Sequence, residues 1–331
     1  MAPRFIWSTG LELNTVNVFP SRGGNGISTV TSPKNSGAYA HRTTGGAVGS
    51  SWWTTPFLEA GHKEMYASLY FRDGNVANTW TRMEFLTTNG DYIGLYKLLG
   101  GGGEFDAIVD GGIVADGTIP LVQAVWTHVE VYVKIDDTNG RIMSRIDGVP
   151  DLDYTGDTEP STDSFIERMR VYEGNTTSYF DDYSIAVGDW CGAIHHAALV
   201  PNGDVEGEWS PSTPGTGSNY ARIDERPPSD ADYNRASGTA YRDKYLLPDW
   251  DGLGKQAHFV NLWGRLKKEA IDSTVVKFIV DDGTAEAINT GTFLTESFAY
   301  YNKIYNEKPS GGGWAEDDLD AMTIGVESEL P

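Results

Sequence analysis

The sequence predicts an all-β protein built from two antiparallel β-sandwich, jelly-roll-like domains with very little helix. Three observations carry that expectation. Apolar and polar residues alternate with a period of two along much of the chain, and turn-forming pairs separate the alternating runs. In addition, 39 of the 331 residues are glycines scattered at turn-like intervals, as many short strands joined by tight turns require.

In residues 64–72, Met65, Ala67, Leu69 and Phe71 alternate with Glu64, Tyr66, Ser68, Tyr70 and Arg72. In residues 128–135, Val129, Val131, Val133 and Ile135 alternate with His128, Glu130, Tyr132 and Lys134. Such strands bury one face and wet the other, as antiparallel sheets do. Asn89-Gly90 separates the runs 82–86 and 92–96, Asp110-Gly111-Gly112 separates 105–109 from 113–115, and residues 136–140 join 129–135 to 141–147. Asn-Gly and Asp-Gly supply the positive φ angles that hairpin turns need. Further along, 274–280 and 284–290 flank Asp281-Asp282-Gly283, and 293–301 and 322–327 read as additional strands. One helical turn is expected at 315–319, where acidic residues suit a helix N-terminus. The stretch 265–271 contains good helix formers, but seven residues between strands decide nothing.

Pro201, Pro211 and Pro214, with Gly203, Gly207, Gly215 and Gly217, mark a linker or long entry loop. The expected domains are therefore 1–196 and a smaller 197–331. Net charge is −22, from 25 basic and 47 acidic side chains, and it is spread evenly: residues 1–200 hold 13 basic and 24 acidic groups. Such a surface repels phosphate backbones, so no nucleic-acid partner is expected. No apolar run approaches the ~20 residues of a membrane helix, and the opening residues lack the charged start and apolar core of a signal peptide. No membrane association is expected. A single cysteine, Cys191, leaves no internal disulfide framework and no multi-thiolate metal site.

Four short motifs recur in a familiar order: FIWSTGLE (5–12), WTHVEVYV (126–133), Ile146-Asp147-Gly148 and FDDYSI (180–185). Together they resemble the laminin-G-like, concanavalin A-type jelly rolls of tailed-bacteriophage virion proteins, over roughly residues 4–190. In that pattern the Asp-Asp strand returns beside the first strand. YARIDERPPSDADY (220–233) and KPSGGGWA (308–315), followed by Leu319 and Ile324-Gly325-Val326, are similar to a second β-sandwich module of phage structural proteins. The resemblance implies a virion structural protein: a capsid decoration, head-fibre or tail-appendage component, assembled in the host cytoplasm. It also implies packing against other capsid or tail proteins and a homo-oligomer, with a trimer favoured. It brings no catalytic residues.

A glycosidase on this fold holds two carboxyl groups ~5–9 Å apart across the scissile bond. Glu130 and Glu167 are isolated on ordinary strands, so the chain is expected not to be an enzyme. The alternative function is a carbohydrate-binding adhesion module. Trp52 and Trp53 are adjacent on a strand, so one faces the core and the other is free for a partner or a sugar ring. With Tyr66, Tyr70 and Tyr132 they form the ligand or interface candidates, the protein interface being preferred.

No cofactor is expected, with calcium left open at two places. Asp151, Asp153 and Asp157 imitate part of a calcium loop, but Thr162 stands at the twelfth position and no flanking helices are evident, so an acidic surface loop is the preferred reading. Asp181 and Asp182 face opposite sides of their strand and cannot share an ion without a bulge, though jelly rolls of the resembled type sometimes bind calcium near that edge. Cys191, His195 and His196 have neither the orienting third group of a nucleophile nor a full zinc ligand set. Gly100–Gly103 reads as a flexible loop and Asn175-Thr176-Thr177 as a polar turn.

Overall fold

A computed structural model of the chain describes residues 2–24, 26–44, 51–75, 80–97, 103–162, 164–174, 177–212, 217–252, 255–269 and 274–329. Gly100 to Gly102 and Asn175-Thr176 lie outside these described residues. The chain divides into two compact units, Met1–Ala197 and Ala198–Pro331. The described residues are nearly all β, with 48% strand and 4% helix.

The first unit holds β1 (Arg4–Thr9), β2 (Ser21–Gly23), β3 (Ser28–Val30), β4 (Ala40–Thr43), β5 (Ser51–Thr54), β6 (Glu64–Asp73), β7 (Trp80–Thr87) and β8 (Tyr92–Lys97). These are followed by β9 (Asp106–Val109), β10 (Gly112–Ala115), β11 (Thr127–Lys134), β12 (Gly140–Ile146), β13 (Val149–Gly156), β14 (Ile166–Gly174) and β15 (Ser178–Val187). Two antiparallel sheets result. The first runs β13-β12-β11-β6-β15-β4-β3, with β1 also paired to β15, and the second runs β10-β9-β8-β7-β14-β5-β2. The Asp-Asp strand β15 thus lies beside β1.

Alternation decides which side chains meet between the sheets. Met65, Leu69 and Phe71 on β6, Val129, Val131 and Val133 on β11, and Phe180 on β15 are buried against Trp53, Met83, Phe85, Ile93, Leu95 and Val171 of the second sheet. His41 is sealed in the same core. Its ring lies 4.3 Å from Trp53, its Nδ1 is 3.0 Å from the Tyr183 hydroxyl, and burial pushes the imidazole down to about 3. At the pairing of β7 with β8 the backbones approach closely: a Cβ on Gly94 would stand 2.0 Å from the Met83 carbonyl oxygen. Only glycine fits there.

In the second unit a six-stranded sheet runs Gly203–Gly207, Arg242–Leu246, Thr323–Glu329, Val275–Asp281 and Glu286–Ile288, with Thr292–Phe293 also on Val275–Asp281. A two-stranded ribbon pairs Val260–Leu266 with Ala299–Tyr305, and one helix covers Glu316–Asp320. Leu262, Phe278, Val280, Trp314, Leu319 and Met322 form its core. Arg265 and Leu266 are therefore strand residues. The single strand expected at 293–301 is two, because the Thr295 hydroxyl donates to the Ser297 carbonyl at 2.7 Å and the Thr295 N–H to the Tyr301 hydroxyl at 3.0 Å. Such local bonds compete with a ladder. Among the described residues no helix is long and apolar enough to cross a membrane.

Candidate functional site

The outward positions of the second sheet fall into rows because its strands pair in register. One row reads Trp52, Tyr172, Arg82, Tyr96 and Asp106, and the next Thr54, Arg170, Glu84, Gly94 and Ile108. Arg168, Leu86 and Tyr92 begin a third. Strands lie ≈ 4.8 Å apart, so the first row spans about 20 Å, the scale of an oligosaccharide.

Each arginine in these rows lies over an aromatic ring. The Arg82 guanidinium is 4.8 Å from the Tyr96 centroid and 5.8 Å from that of Tyr92, Arg170 is 4.4 Å from Tyr172, and Arg168 is 4.8 Å from the exposed Phe57 ring. Contacts of this kind fix the orientation of a guanidinium. Glu84 is fully buried beneath them. Arg170 donates through Nε and Nη2 to one carboxylate oxygen at 2.9 and 2.7 Å, and Arg82 Nη1 reaches the other at 3.4 Å. Burial pushes the Glu84 carboxyl upward, and the two guanidiniums oppose it. Arg168 is less engaged: its Nη2 is 3.7 Å from Glu167, and its buried Nε has no hydrogen-bond partner among the described residues. The rows therefore present half-buried aromatic surface and three guanidiniums in a chain that is otherwise strongly acidic.

The sequence candidates are distributed differently. Trp52 stands on this face, whereas Trp53 is 1% exposed and belongs to the core, which corrects its reading as a ligand residue. Tyr66, Tyr70 and Tyr132 do lie on the outward face of the first sheet, but residues 189–196 cover it. The Tyr66 and Tyr132 rings are 4.6 Å apart and pack 5.4 and 6.4 Å from Trp190, and Tyr132 donates to Glu64 at 2.8 Å. Tyr70 stacks 5.1 Å from His195, and burial with nearby Asp182 pushes its phenol up to about 12. These three do not form an open platform.

Asp151 and Asp153 sit on a strand where a loop was expected, and each carboxylate is already engaged. Asp151 accepts from the Thr118 and Ile119 N–H groups at 2.7 Å, Asp153 takes two bonds from Arg141 at 2.7 and 2.6 Å, and Asp157 accepts from the Glu159 N–H at 2.9 Å. At Asp181-Asp182 the strand does carry a bulge, with Asp182 at φ 51°. Its effect is to bury both carboxylates among protein donors. Asp181 accepts from the Asn35 and Ser36 N–H groups at 2.9 and 3.2 Å, and burial, reinforced by Asp182, pushes it up to about 8. Asp182 accepts from the Ser36 hydroxyl at 2.7 Å and the His196 N–H at 3.0 Å, and lies 3.1 Å from both the His195 and His196 Nδ1 atoms. Burial would raise it, but the histidine hydrogen bonds outweigh burial and hold it low. Both histidines thus turn to Asp182, while burial raises the Cys191 thiol. Among the described residues no three His, Cys, Asp or Glu side chains are grouped to hold a metal ion.

The residues missed from sequence were Arg82, Glu84, Tyr92, Tyr96, Arg168, Arg170 and Tyr172. Their signal was available: Arg82 and Glu84 alternate with core Met83 and Phe85, and Arg168, Arg170 and Tyr172 alternate with core Met169 and Val171.

No protein-family model and no curated protein matches the chain. Solved structures are similar to it at low identity. Alginate lyase vAL-1 from Chlorella virus shares 12% identity over 55% of this chain and 99% of its own, with a TM-score of 0.42. Endo-β-1,4-glucuronan lyase from Trichoderma reesei shares 10% over 56% and 96%, also at 0.42. A Bacillus subtilis protein of unknown function with a galectin-like fold shares 9% over 56% and 98%, again at 0.42. Lyases, which are enzymes, stand among these structures, and the expectation that the chain is not an enzyme is withdrawn.

Proposed function

We propose that the first unit binds an extended acidic polysaccharide across the outward rows of its second sheet. The observation that carries this reading is the run Trp52–Tyr172–Arg82–Tyr96 with Arg168 and Arg170 beside it. Guanidiniums match carboxylate oxygens as planar forks, and the rings supply flat apolar surface for sugar faces. In an acidic chain a local cluster of arginines favours an anionic chain over a neutral one, and the preference weakens with salt.

Isothermal titration of the whole chain with alginate, polyglucuronate and neutral dextran tests this. The two acidic polymers are expected to bind and dextran is not. A charged hydrogen bond is worth roughly 1.5–3 kcal/mol, so Arg168→Ala is expected to weaken binding by about 10- to 100-fold. Equal binding of dextran, or indifference to Arg168→Ala, contradicts the reading. Unsaturated sugar ends appearing in the same samples would add cleavage to binding.

The sequence resemblance adds a setting, which we propose alongside: the chain sits on a phage particle, among capsid or tail proteins, as a homo-oligomer with a trimer favoured. Gold-labelled antibody is expected to mark intact particles. Unlabelled particles that also lack the chain by mass spectrometry contradict it.

A further inference from the structure

The first sheet carries a second feature on its outward face. Beside residues 192–193 of the covering segment and the Asp147-Gly148 turn lies a cleft of about 400 Å³, lined by Tyr70, His128, Glu130, Arg145 and Asp147. That volume is within the ~300–1,000 Å³ range of small-molecule sites.

Its polar groups are only partly used. The Arg145 guanidinium lies 4.1 Å from the Trp190 ring centroid and has no ion pair or hydrogen bond among the described residues. The Tyr70 hydroxyl likewise makes no hydrogen bond among them, although its ring is held between His128 at 4.9 Å and His195 at 5.1 Å. Asp147 accepts the His128 N–H at 2.8 Å through Oδ1, and Glu130 accepts the Gly192 N–H at 2.8 Å through Oε1. Each carboxylate keeps its second oxygen. The His128 ring is 4% exposed, and its buried Nε2 has no partner among the described residues.

The occupant must therefore offer acceptors to Arg145 and Tyr70 and donors to Asp147 and Glu130. A purely apolar molecule leaves all four unmatched. A free anion meets two carboxylates, and a simple cation meets the guanidinium. A hydroxyl both donates and accepts, so a ring bearing several hydroxyls matches the whole set. We infer that this cleft is a separate site for a single neutral sugar residue, on the sheet opposite the polysaccharide face. The inference does not depend on that face binding anything.

The test is saturation-transfer difference NMR on the whole chain with methyl glycosides of glucose, galactose, mannose and N-acetylglucosamine. At least one is expected to bind with a millimolar Kd. Arg145→Met and Asp147→Asn are each expected to weaken it at least tenfold, and alginate oligomers are not expected to displace it. Asp147 sits at φ 51°, a conformation asparagine adopts readily, so Asp147→Asn keeps the turn even if the other variant folds poorly. The inference is overturned if no glycoside shows transfer, if folded Asp147→Asn binds like the parent chain, or if alginate oligomers displace the sugar.

Discussion

Trp53→Ala is expected to destabilise the first unit by about 3–5 kcal/mol, the usual cost of removing a large buried aromatic. Trp53 is 1% exposed and joins the two sheets: its ring lies 4.8 Å from Phe180 and 4.3 Å from His41, with Phe19 at 6.0 Å and Tyr183 at 6.4 Å. No neighbour can fill that volume without breaking several of these contacts at once. For a unit of this size each kcal/mol moves the midpoint by ~2–4 °C, so a fall of roughly 6–20 °C is expected in thermal melts. Trp52→Ala, one residue away on the opposite face, is expected to cost about 1 kcal/mol or less while weakening polysaccharide binding. Equal stability losses for the two variants contradict the assignment of faces.

The second large effect is acid sensitivity through His41. Its imidazole is held down to about 3 by burial alone, whereas an unfolded chain protonates near 6.5. Because the folded state refuses a proton that the unfolded state accepts, this contribution to stability is intact above about pH 6.5. It is lost progressively as pH falls toward about 3. The separation corresponds to roughly 4–5 kcal/mol at its lower limit. His41→Phe keeps an aromatic ring among Phe19, Trp53 and Phe180 and removes the titration. The difference between parent and variant, followed by urea unfolding from pH 7 to pH 4, is expected to shift in favour of the variant as pH falls. A difference independent of pH places His41 in contact with solvent and contradicts its burial.

Much of the architecture was legible because it depends on local rules. Alternation in β6 and β11 is the direct signature of a half-buried strand, and the Asn89-Gly90 and Asp110-Gly111 turns set the hairpins around β8 and β9. The adjacent tryptophans announced opposite faces, but nothing local says which one faces the core. That depends on β5 pairing with β14, more than a hundred residues away. The arginine–tyrosine rows were missed for the same reason, since each strand supplies only two or three of their residues. Tyr66 and Tyr132 read as exposed from their own strands, and only the return of Trp190 across the sheet covers them. The spacing of Asp151, Asp153 and Asp157 suggested a loop, whereas Asp153 faces Met143 in a strand ladder and turns its carboxylate to Arg141. A fully buried pair, Lys97 Nζ 3.1 Å from Asp73, had no sequence signal at all, because neither residue type betrays burial unless its partner is known.

Whether the second sheet's outward rows hold an acidic glycan is decided by a crystal structure of the whole chain with a hexameric oligouronate. Ordered sugar density is expected along Trp52, Tyr172, Arg82 and Tyr96, with at least one uronate carboxylate hydrogen-bonded to an arginine of the rows. An oligomer ordered elsewhere on the chain, or bare rows at a concentration that saturates binding in solution, contradicts it.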